Sequence, residues 1–204
     1  MRGSSFLEDK ASLKQEGFSI ERLSANPLAN PGKKISEGDS LPDAAVCLIL
    51  KSDGPSLLMI KRRELEGDPW SGHMAFPGGH YAETDKELLA TVIREVLEEV
   101  NIDLRKQSML GTLDELLPGN RLIRVTPFVA LAGEPTVVKI NEREVADYFW
   151  IPISFFLDPS NCSTFAPERS GAKFSFPCYM YGGKYAIWGL SFRIIQDLLA
   201  KERG

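Results

Sequence analysis

The sequence predicts an α/β fold in which a mixed sheet lies between helices. Three observations support this prediction: short apolar runs separated by turn-forming residues, an amphipathic segment near the middle of the chain, and a second one at its C-terminal end. Strands followed by a helix, further strands and a last helix are typical of a layered α/β domain. A chain of 204 residues that is 43% hydrophobic has the right size for one globular domain with a short extension.

Residues 1–40 differ in composition from the rest of the chain. The stretch "SANPLANPGKKISEGDSLP" is rich in Pro, Gly, Asn and Ser, and the segment before it has only weak helical amphipathicity. We therefore predict an N-terminal extension over residues 1–40 and a single domain over residues 41–204.

The first elements of the domain are two strands and a helix. "AAVCLIL" and "SLLMIKRR" are apolar runs on either side of "KSDGP", which contains a turn-forming Asp-Gly-Pro. The helix is predicted between Thr84 and Asn101, with Thr84 or Asp85 as its N-cap and Asn101, which tolerates the left-handed conformation, as its C-cap. Its apolar residues recur at helical spacing and define one buried face: Leu89, Val92, Ile93, Val96 and Val100.

The later elements are strands joined by short turns, closed by a helix. "SMLGTLDELL" and "RLIRVTPFVALA" predict a hairpin around "PGN", and "EVADYFWIPI" predicts a strand that runs into a short helix. A last hairpin is predicted from "KFSFPCYMY", "GGK" and "YAIWGL", and an amphipathic helix follows over residues 191–200. Trp188 and Phe192, four positions apart, are predicted to be core residues.

Composition and charge limit the partners. The formal net charge of -4 and the scattered basic residues argue against duplex nucleic acid, but they allow a small anionic substrate. No apolar stretch reaches membrane-spanning length and no targeting segment is evident, so we expect no membrane partner and a cytoplasmic location. The three cysteines form no C-x-x-C pair, so neither a disulfide framework nor a zinc knuckle is indicated, and Cys47 is predicted to be buried.

Glu95, Glu98 and Glu99 crowd one edge of the predicted helix. At about 100° per residue they project within an arc of roughly 100° beside the apolar face. A solvated acidic face, partly neutralised by Arg94, is one interpretation. The other is a cation site, because clustered carboxylates near a core edge repel one another and hard oxygen ligands suit Mg²⁺ or Mn²⁺. The preceding "PGG" favours the cation site, because Gly79 and its neighbour let the backbone approach a ligand closely.

Residues 79–102 resemble the signature of the Nudix hydrolase family, G-x5-E-x7-R-E-U-x-E-E-x-G-U, in which U is an aliphatic residue. Six residues match the signature in register: Arg94, Glu95, Val96, Glu98, Glu99 and Ile102. Asn101 replaces the last glycine, which its role as a helix cap makes tolerable. One extra residue lies before the arginine of the signature, so either Asp85 or Glu87 can be its first acidic element.

The resemblance implies an α/β/α sandwich and a divalent-metal-dependent hydrolase that splits a diphosphate linkage. It implies that Mg²⁺ or Mn²⁺ is held by three carboxylates and one carbonyl, those of Glu95, Glu98, Glu99 and Gly79. It also implies three catalytic residues, Arg94, Glu98 and Glu99, of which Arg94 would orient the carboxylates.

Two features of the enzyme stay open at this point. The general base is either Glu98 or Glu99 in the helix, or Glu142 or Glu144 in the later segment "NEREVAD". Enzymes resembling this one are commonly homodimers, although no residue of the sequence demands a dimer.

Residues 59–79, "MIKRRELEGDPWSGHMAFPGG", resemble the additional motif of coenzyme A pyrophosphatases: L-L-T-x-R, a second R five positions on, and G-x3-F-P-G-G. The residues that match in spacing are Arg63, Gly72, Phe76, Pro77, Gly78 and Gly79. Lys61 replaces the threonine and Asp68 replaces the second arginine, so an acidic residue stands where a phosphate ligand is expected.

Five residues of this segment are predicted to bind the substrate: Lys61, Arg63, Trp70, His73 and Phe76. Trp70 either packs the loop onto the domain or stacks on a flat group such as adenine. His73 is either a local hydrogen-bonding residue or a contact for phosphate. The basic residues that end the second strand face either the solvent or an anionic substrate.

The expected function is metal-dependent hydrolysis of the diphosphate linkage in coenzyme A or one of its thioesters. An alternative, favoured by Asp68 and Lys61, is a Nudix enzyme for another diphosphate, such as a nucleotide sugar, a dinucleotide or a damaged nucleoside triphosphate. A third hypothesis is a catalytically silent module that binds a nucleotide or a protein. The three retained glutamates speak against this third hypothesis.

Overall fold

The computed structural model shows two sheets and the helices that cover them. It describes residues 17–25, 28, 43–51, 53–68, 70–117, 123–133, 135–167 and 174–203. The larger sheet contains β1 (Asp43–Lys51), β2 (Ser56–Arg62), β3 (Met74–Ala75), β4 (Gly78–His80), β5 (Ser108–Thr112), β6 (Arg124–Ala132) and β7 (Val145–Pro152). The smaller sheet contains β8 (Cys162–Phe165), β9 (Phe176–Tyr181) and β10 (Tyr185–Trp188). The α-helices of the described residues are α1 (Ile20–Ala25), α2 (Leu88–Val100), α3 (Ile153–Leu157) and α4 (Gly189–Arg203).

The larger sheet is mixed. β1 runs parallel to β6, in register from the pair Asp43 and Arg124 to the pair Lys51 and Ala132. The other pairings of the described strands in this sheet are antiparallel: β1 with β2 and β4, β2 with β3 and β7, and β5 with β6. The predicted α/β fold with a mixed sheet is therefore confirmed.

Helices α2 and α4 cover opposite faces of the larger sheet. Alternate residues of β1 point to opposite sides of the sheet, and each set packs under one of the two helices. The core under α2 includes Ala45, Cys47, Ile49, Val92, Val96 and Phe128. The core under α4 includes Leu48, Leu50, Ile194, Ile195 and Leu198. The layers are helix, sheet and helix, and Cys47 is fully buried as predicted.

The ends of α2 correct one prediction and confirm another. Glu87 is the N-cap residue, in an extended conformation, so the predicted N-cap at Thr84 or Asp85 is wrong. The side chain of Asp85 is engaged by other groups near the site described below. Asn101 ends the helix in the left-handed conformation with a φ of 58°, as predicted.

The later strands and helices are present where the sequence predicts them. β5 and β6 pair with each other, β7 leads into α3, β9 pairs with β10, and α4 follows. The predicted "PGN" turn between β5 and β6 lies outside the described residues. β8 was not predicted, because it is a short strand whose first three residues are exposed. Trp188 and Phe192 are only half-buried, so the prediction of core positions holds for them in part.

Helix α1 packs against α4. Leu23 of α1 is fully buried. Glu202 of α4, itself 4% exposed, accepts hydrogen bonds from the backbone N–H of Ser19 at 2.9 Å and from Nε of Arg22 at 2.7 Å. Most of residues 1–40 lie outside the described residues, so the predicted boundary between extension and domain stays a prediction. Within the described part of the chain, no helix is long and apolar enough to cross a membrane.

Candidate metal and diphosphate site

Two glycines let α2 lie directly on β4. Gly78 has a φ of 147°, and a β-carbon there would come within 2.2 Å of the carbonyl oxygen of Ala45. A β-carbon at Gly79 would lie 2.5 Å from the carboxyl carbon of Glu95. The carboxylate of Glu95 thus occupies the space that any larger residue at position 79 would fill. The "PGG" segment is therefore required for the contact between strand and helix.

Glu99 reaches the same strand from the next turn of α2. Its Oε2 accepts a hydrogen bond from the backbone N–H of Gly78 at 2.9 Å, and the residue is only 2% exposed. Burial raises the pKa of Glu99 to about 8; the Gly78 N–H and the charge of Arg62 oppose this rise, whereas the charges of Glu95 and Glu144 add to it. A buried carboxylate beside other carboxylates is in a position that a cation would stabilise.

Arg94 links Glu95 to a second carboxylate. Its Nη1 donates to Glu95 at 2.7 Å, and its Nη2 and Nε donate to the two oxygens of Asp85 at 2.8 and 3.2 Å. Asp85, 7% exposed, also accepts from the hydroxyl of Thr91, and the hydrogen bond from Arg94 holds the pKa of Asp85 at about 2. Of the two acidic residues that the sequence left open, Asp85 is the one that binds Arg94, whereas Glu87 is the helix N-cap.

Glu98 lies apart from the other two glutamates of the signature. It is 52% exposed, and its Oε2 is 3.5 Å from Nη1 of Arg94. Among the residues that the structure describes, no three His, Cys, Asp or Glu side chains are grouped as a metal site would need. Rotation of the exposed Glu98 side chain would therefore be needed to bring all three glutamates to one ion.

The donor set fits a hard divalent cation. The groups that face one another across β4 and α2 are the carboxylates of Glu95 and Glu99 and the backbone at Gly78 and Gly79. Carboxylate and carbonyl oxygens are the ligands that Mg²⁺ and Mn²⁺ prefer. The space beside Gly79 lacks a β-carbon, and the charges of Glu95 and Glu144 raise the pKa of Glu99 while the charge of Arg62 lowers it.

The segment before β7 brings a further glutamate to this site. The backbone N–H groups of Lys139 and Asn141 donate to the carbonyls of Val100 and Glu99 at 3.1 and 2.9 Å, so the segment is fixed to the end of α2. The side-chain amide of Asn141 donates to the carboxylate of Glu144 at 2.9 Å, and the charge of Glu144 acts on Glu99. The sequence left Glu142 and Glu144 equivalent, whereas in the structure Glu144 is the one coupled to the site.

The residues predicted to bind the substrate occupy varied positions around the loop between β2 and β3. Lys61 donates to the carbonyl of Gly72, and Arg63 donates to the carbonyl of Glu142 at 2.7 Å. Phe76 is 3% exposed and packs in the core under α4. Lys61 thus holds the loop, Arg63 joins it to the segment before β7, and Phe76 is a core residue; their predicted contacts with substrate stay predictions.

Aromatic rings frame the same loop. Trp70 is 36% exposed, and its ring centroid lies 6.3 Å from that of His80, the residue after Gly79. His73 meets the ring of Trp188 edge to face at a centroid distance of 5.0 Å. His80 was not predicted from the sequence, although its position next to the glycine pair could have indicated it.

The carboxylates of α2, packed against the glycines of β4 in a mixed sheet, are the arrangement expected for a Nudix hydrolase. The chain belongs to this family: a sequence model described as the NUDIX domain matches residues 40–163, more than half of the chain. Nudix hydrolases generally use divalent metal ions and act on small-molecule substrates. The predicted family, the α/β sandwich and the pyrophosphatase class are confirmed.

The similar proteins differ in how specifically their substrate is named. The chain is 34% identical over 171 residues to "Uncharacterized Nudix hydrolase NudL" of Photorhabdus laumondii, covering 84% of this chain and 89% of that protein. It is also 34% identical over 164 residues to "Peroxisomal coenzyme A diphosphatase ndx-8" of Caenorhabditis elegans, covering 76% of this chain and 67% of that protein. Among solved structures, a MutT/nudix family protein from Enterococcus faecalis superposes with a TM-score of 0.52 at 15% identity, covering 81% of this chain and 63% of that one. This structural likeness supports the fold alone.

Proposed function

We propose that the chain hydrolyses the diphosphate linkage of coenzyme A or of one of its thioesters with the help of Mg²⁺ or Mn²⁺. The observation that carries the proposal is the position of Glu95 and Glu99 against the backbone of Gly78 and Gly79. The resemblance of residues 59–79 to the coenzyme A motif and the similarity to a coenzyme A diphosphatase support the substrate. We keep the cytoplasm as the proposed compartment.

Glu95, Glu99 and the carbonyl of Gly79 would hold the divalent ion, and Glu98 would join them from the exposed side of α2. An ion bound there would neutralise charge on the diphosphate and make a water molecule more acidic. Arg94 would keep the carboxylate of Glu95 directed at Gly79, because it is anchored in turn by Asp85. The conformation of Glu95 is thus prepared before the substrate binds, whereas Glu98 has to rotate toward the ion.

Glu144 is our proposed general base. Its carboxylate is held by Asn141 and lies near Glu99, and the residue is exposed to water. Glu99 is less suited to the role, because its carboxylate is buried and accepts a hydrogen bond from Gly78. In the reaction, water adds to one phosphorus of the P–O–P bridge and loses a proton to the base, while the bridging oxygen leaves with the other phosphate. The two products together contain the elements of one added water.

A second candidate substrate class is supported by one position. Asp68 stands where the coenzyme A motif has an arginine, and a carboxylate at that position would repel a phosphate. A Nudix hydrolase for another diphosphate, such as a nucleotide sugar or a dinucleotide, would not need that arginine. The relatives named only as NudL leave this alternative open.

The test is a hydrolysis screen of diphosphate-linked metabolites with Mg²⁺, with product masses and with a parallel assay in EDTA. Coenzyme A should yield adenosine 3′,5′-bisphosphate and 4′-phosphopantetheine, and EDTA should abolish the reaction. Water labelled with ¹⁸O identifies the phosphorus that is attacked. Cleavage of another diphosphate while coenzyme A stays intact would overturn the proposed substrate but not the reaction class. Turnover that persists in EDTA would overturn the metal requirement.

A further inference from the structure

We propose that Arg62 binds the diphosphate of the substrate and that Asp68 holds Arg62 in position for this contact. The proposal rests on the proposed function, because it assigns a substrate contact at the same site. In the sequence, Arg62 is one of three consecutive basic residues at the end of the second strand. Its surroundings in the structure distinguish it from its neighbours Lys61 and Arg63.

An ion pair with Asp68 holds Arg62, and hydrogen bonds fix the loop between β2 and β3 that carries Asp68. Its Nη2 lies 2.9 Å from Oδ2 of Asp68, which is 18% exposed. The other carboxylate oxygen of Asp68 accepts from the backbone N–H of Trp70 at 2.9 Å, and the backbone N–H of Arg62 donates to the carbonyl of His73 at 3.0 Å. The loop therefore fixes the guanidinium before any ligand arrives, which lowers the entropic cost of binding.

The side chain of Arg62 lies on the same face of the sheet as the acidic helix. Ile60, two residues earlier in β2, packs in the core under α2, and so does Val145, the cross-strand neighbour of Arg62. Residues two apart in a strand share a face. The register between β2 and β7 shifts beside Arg62, where Lys61 pairs with Asp147 and Arg62 with Val145, so the extra residue lies in β7 and the alternation along β2 is kept.

The guanidinium also faces an open cavity of positive character. A cavity of about 360 Å³ is lined by Lys61, Arg62, Arg63, Glu64 and Ala146. Three cations against one carboxylate suit an anionic ligand. The side chain of Arg62 is 31% exposed, so part of the guanidinium is accessible. Its Nε, by contrast, is buried and has no acceptor among the described residues. A donor this deeply buried is out of reach of a ligand, so the contact with phosphate is assigned to the exposed part of the guanidinium.

The ion pair also explains how the chain tolerates Asp68. A carboxylate at this position would repel a diphosphate if it stood alone, but here Arg62 neutralises it. Within the pair, Arg62 lies on the face of the sheet that α2 covers, and Asp68 belongs to the loop between β2 and β3. The chain thus supplies a guanidinium from the end of β2, where the coenzyme A motif supplies one from the loop.

The test compares variants that break the ion pair from its two sides. Arg62→Met and Asp68→Asn disrupt the same contact, so a purely structural role predicts equal effects. We expect Arg62→Met to lower kcat/KM about 30-fold, Arg62→Lys about fivefold and Asp68→Asn about threefold, because only the first loses the charged donor. Arg105→Met is the matched control: it breaks an exposed Arg–Asp pair with an N–O distance of 2.7 Å and should keep wild-type kinetics. Thermal unfolding checks that each variant folds.

A binding measurement separates this proposal from the proposed function. Methylene diphosphonate, which is not hydrolysed, is titrated calorimetrically in the presence of Mg²⁺. We expect Arg62→Met to weaken its binding about 30-fold and Arg105→Met to leave it unchanged. If coenzyme A is not a substrate but this pattern is found, the proposed substrate fails and the role of Arg62 stands. Equal losses of affinity in Arg62→Met and Asp68→Asn would overturn the proposal. If Arg62→Met does not fold, the decision falls to the other two variants, and unchanged binding in both Arg62→Lys and Asp68→Asn would also overturn it.

Discussion

Two buried glutamates, one near the end of each long helix, have opposite surroundings. Glu202 of α4 is 4% exposed and Glu99 of α2 is 2% exposed, and each accepts a hydrogen bond from a backbone N–H at 2.9 Å. Glu202 also has a direct guanidinium partner, because Nη2 of Arg22 lies 2.6 Å from its Oε1. Glu99 has no guanidinium among its hydrogen-bond partners in the described residues; the charge of Arg62 favours its ionisation, whereas burial and the carboxylates of Glu95 and Glu144 make its ionisation harder.

This difference separates a structural carboxylate from one suited to bind a cation. A buried carboxylate with a guanidinium partner fixes two helices to each other, as Glu202 does for α1 and α4. A buried carboxylate among other carboxylates opposes folding until a cation joins it. Burial alone therefore does not reveal function, whereas burial together with like charges does.

The largest effect is expected for Glu99→Gln. Glutamine keeps the shape of the side chain but removes the charge that would hold the metal ion. We expect kcat/KM to fall at least about 1000-fold, because the transition state loses several kcal/mol of electrostatic stabilisation. The unfolding midpoint in EDTA at neutral pH should not fall, because a carboxyl with a pKa of about 8 is mostly protonated there and glutamine can still accept the hydrogen bond from the Gly78 N–H. Steady-state hydrolysis and thermal denaturation measure the two quantities.

Glu202→Gln is the matched control for that variant. It removes the charge that pairs with Arg22, so the free energy of unfolding should decrease by about 1–3 kcal/mol. Its kcat/KM should stay within about twofold of the wild type, because α4 lies on the other side of the sheet from the site. A similar loss of activity in Glu202→Gln and Glu99→Gln would contradict the distinction between the two glutamates.

The next effect concerns Glu144, the carboxylate that the later segment adds near Glu99. Glu144→Gln should lower kcat about 100-fold with little change in KM, as expected for the loss of a general base. Glu142→Gln, two residues away, is the control and should behave like the wild type, because only the backbone carbonyl of Glu142 is engaged by Arg63. If Glu142→Gln is the damaged variant, the base has been assigned to the wrong residue.

A smaller loss is expected from Gly79→Ala. The added methyl group would meet the carboxylate of Glu95 and displace it from the strand. We expect kcat/KM to fall about 10- to 100-fold, which is typical of a misplaced catalytic group, with the fold retained because a flexible side chain can move. At Gly133 a β-carbon would meet only Gln107, at 3.7 Å, so Gly133→Ala should have wild-type activity. Wild-type activity in Gly79→Ala would show that the close approach of Glu95 is unimportant.

The smallest effect is expected in stability, at Asp85. Its pKa of about 2 in the folded protein is below the value of about 3.9 expected in the unfolded chain, so ionised Asp85 stabilises the fold. This contribution is complete above about pH 4 and is lost as the pH falls toward 2; after allowance for solvent screening it is on the order of 1–2 kcal/mol. Asp85→Asn should remove that part of the acid dependence of unfolding. An unchanged unfolding curve between pH 4 and 2, read by circular dichroism at roughly half-unit steps, would refute it.

The parts of the fold that depend on local sequence could be predicted. The apolar stripe of α2 and the left-handed Asn101 are encoded within a few residues; Asn101 is as predicted, and of the predicted stripe Val92, Val96 and Val100 are buried while Leu89 and Ile93 are partly buried. The N-cap of α2 could not be predicted, because Asp85 is drawn away from the helix end by Arg94 and Thr91. β8 was missed for a related reason: its exposed side chains carry no alternation, and pairing with β9 alone defines it.

The site was predictable in composition but not in geometry. The signature named the glutamates, yet their spacing gave no indication that Glu98 would be exposed while Glu99 is buried. Arg62 and Glu144 were harder to assign, because the spacing of residues in the sequence does not show their contacts: Arg62 is held by Asp68 of the following loop, and Glu144 belongs to a distant segment that lies beside α2. Charged residues at strand ends look solvated in a sequence, and only the folded chain shows which of them face the site.

The most direct test is a titration with Mn²⁺ followed by electron paramagnetic resonance, in the absence of substrate. We predict saturable Mn²⁺ binding to the wild type and to Glu202→Gln, with an affinity at least about tenfold weaker in Glu99→Gln. The same Mn²⁺ affinity in all three proteins would contradict the claim that the carboxylates of α2 and the glycines of β4 hold a divalent cation.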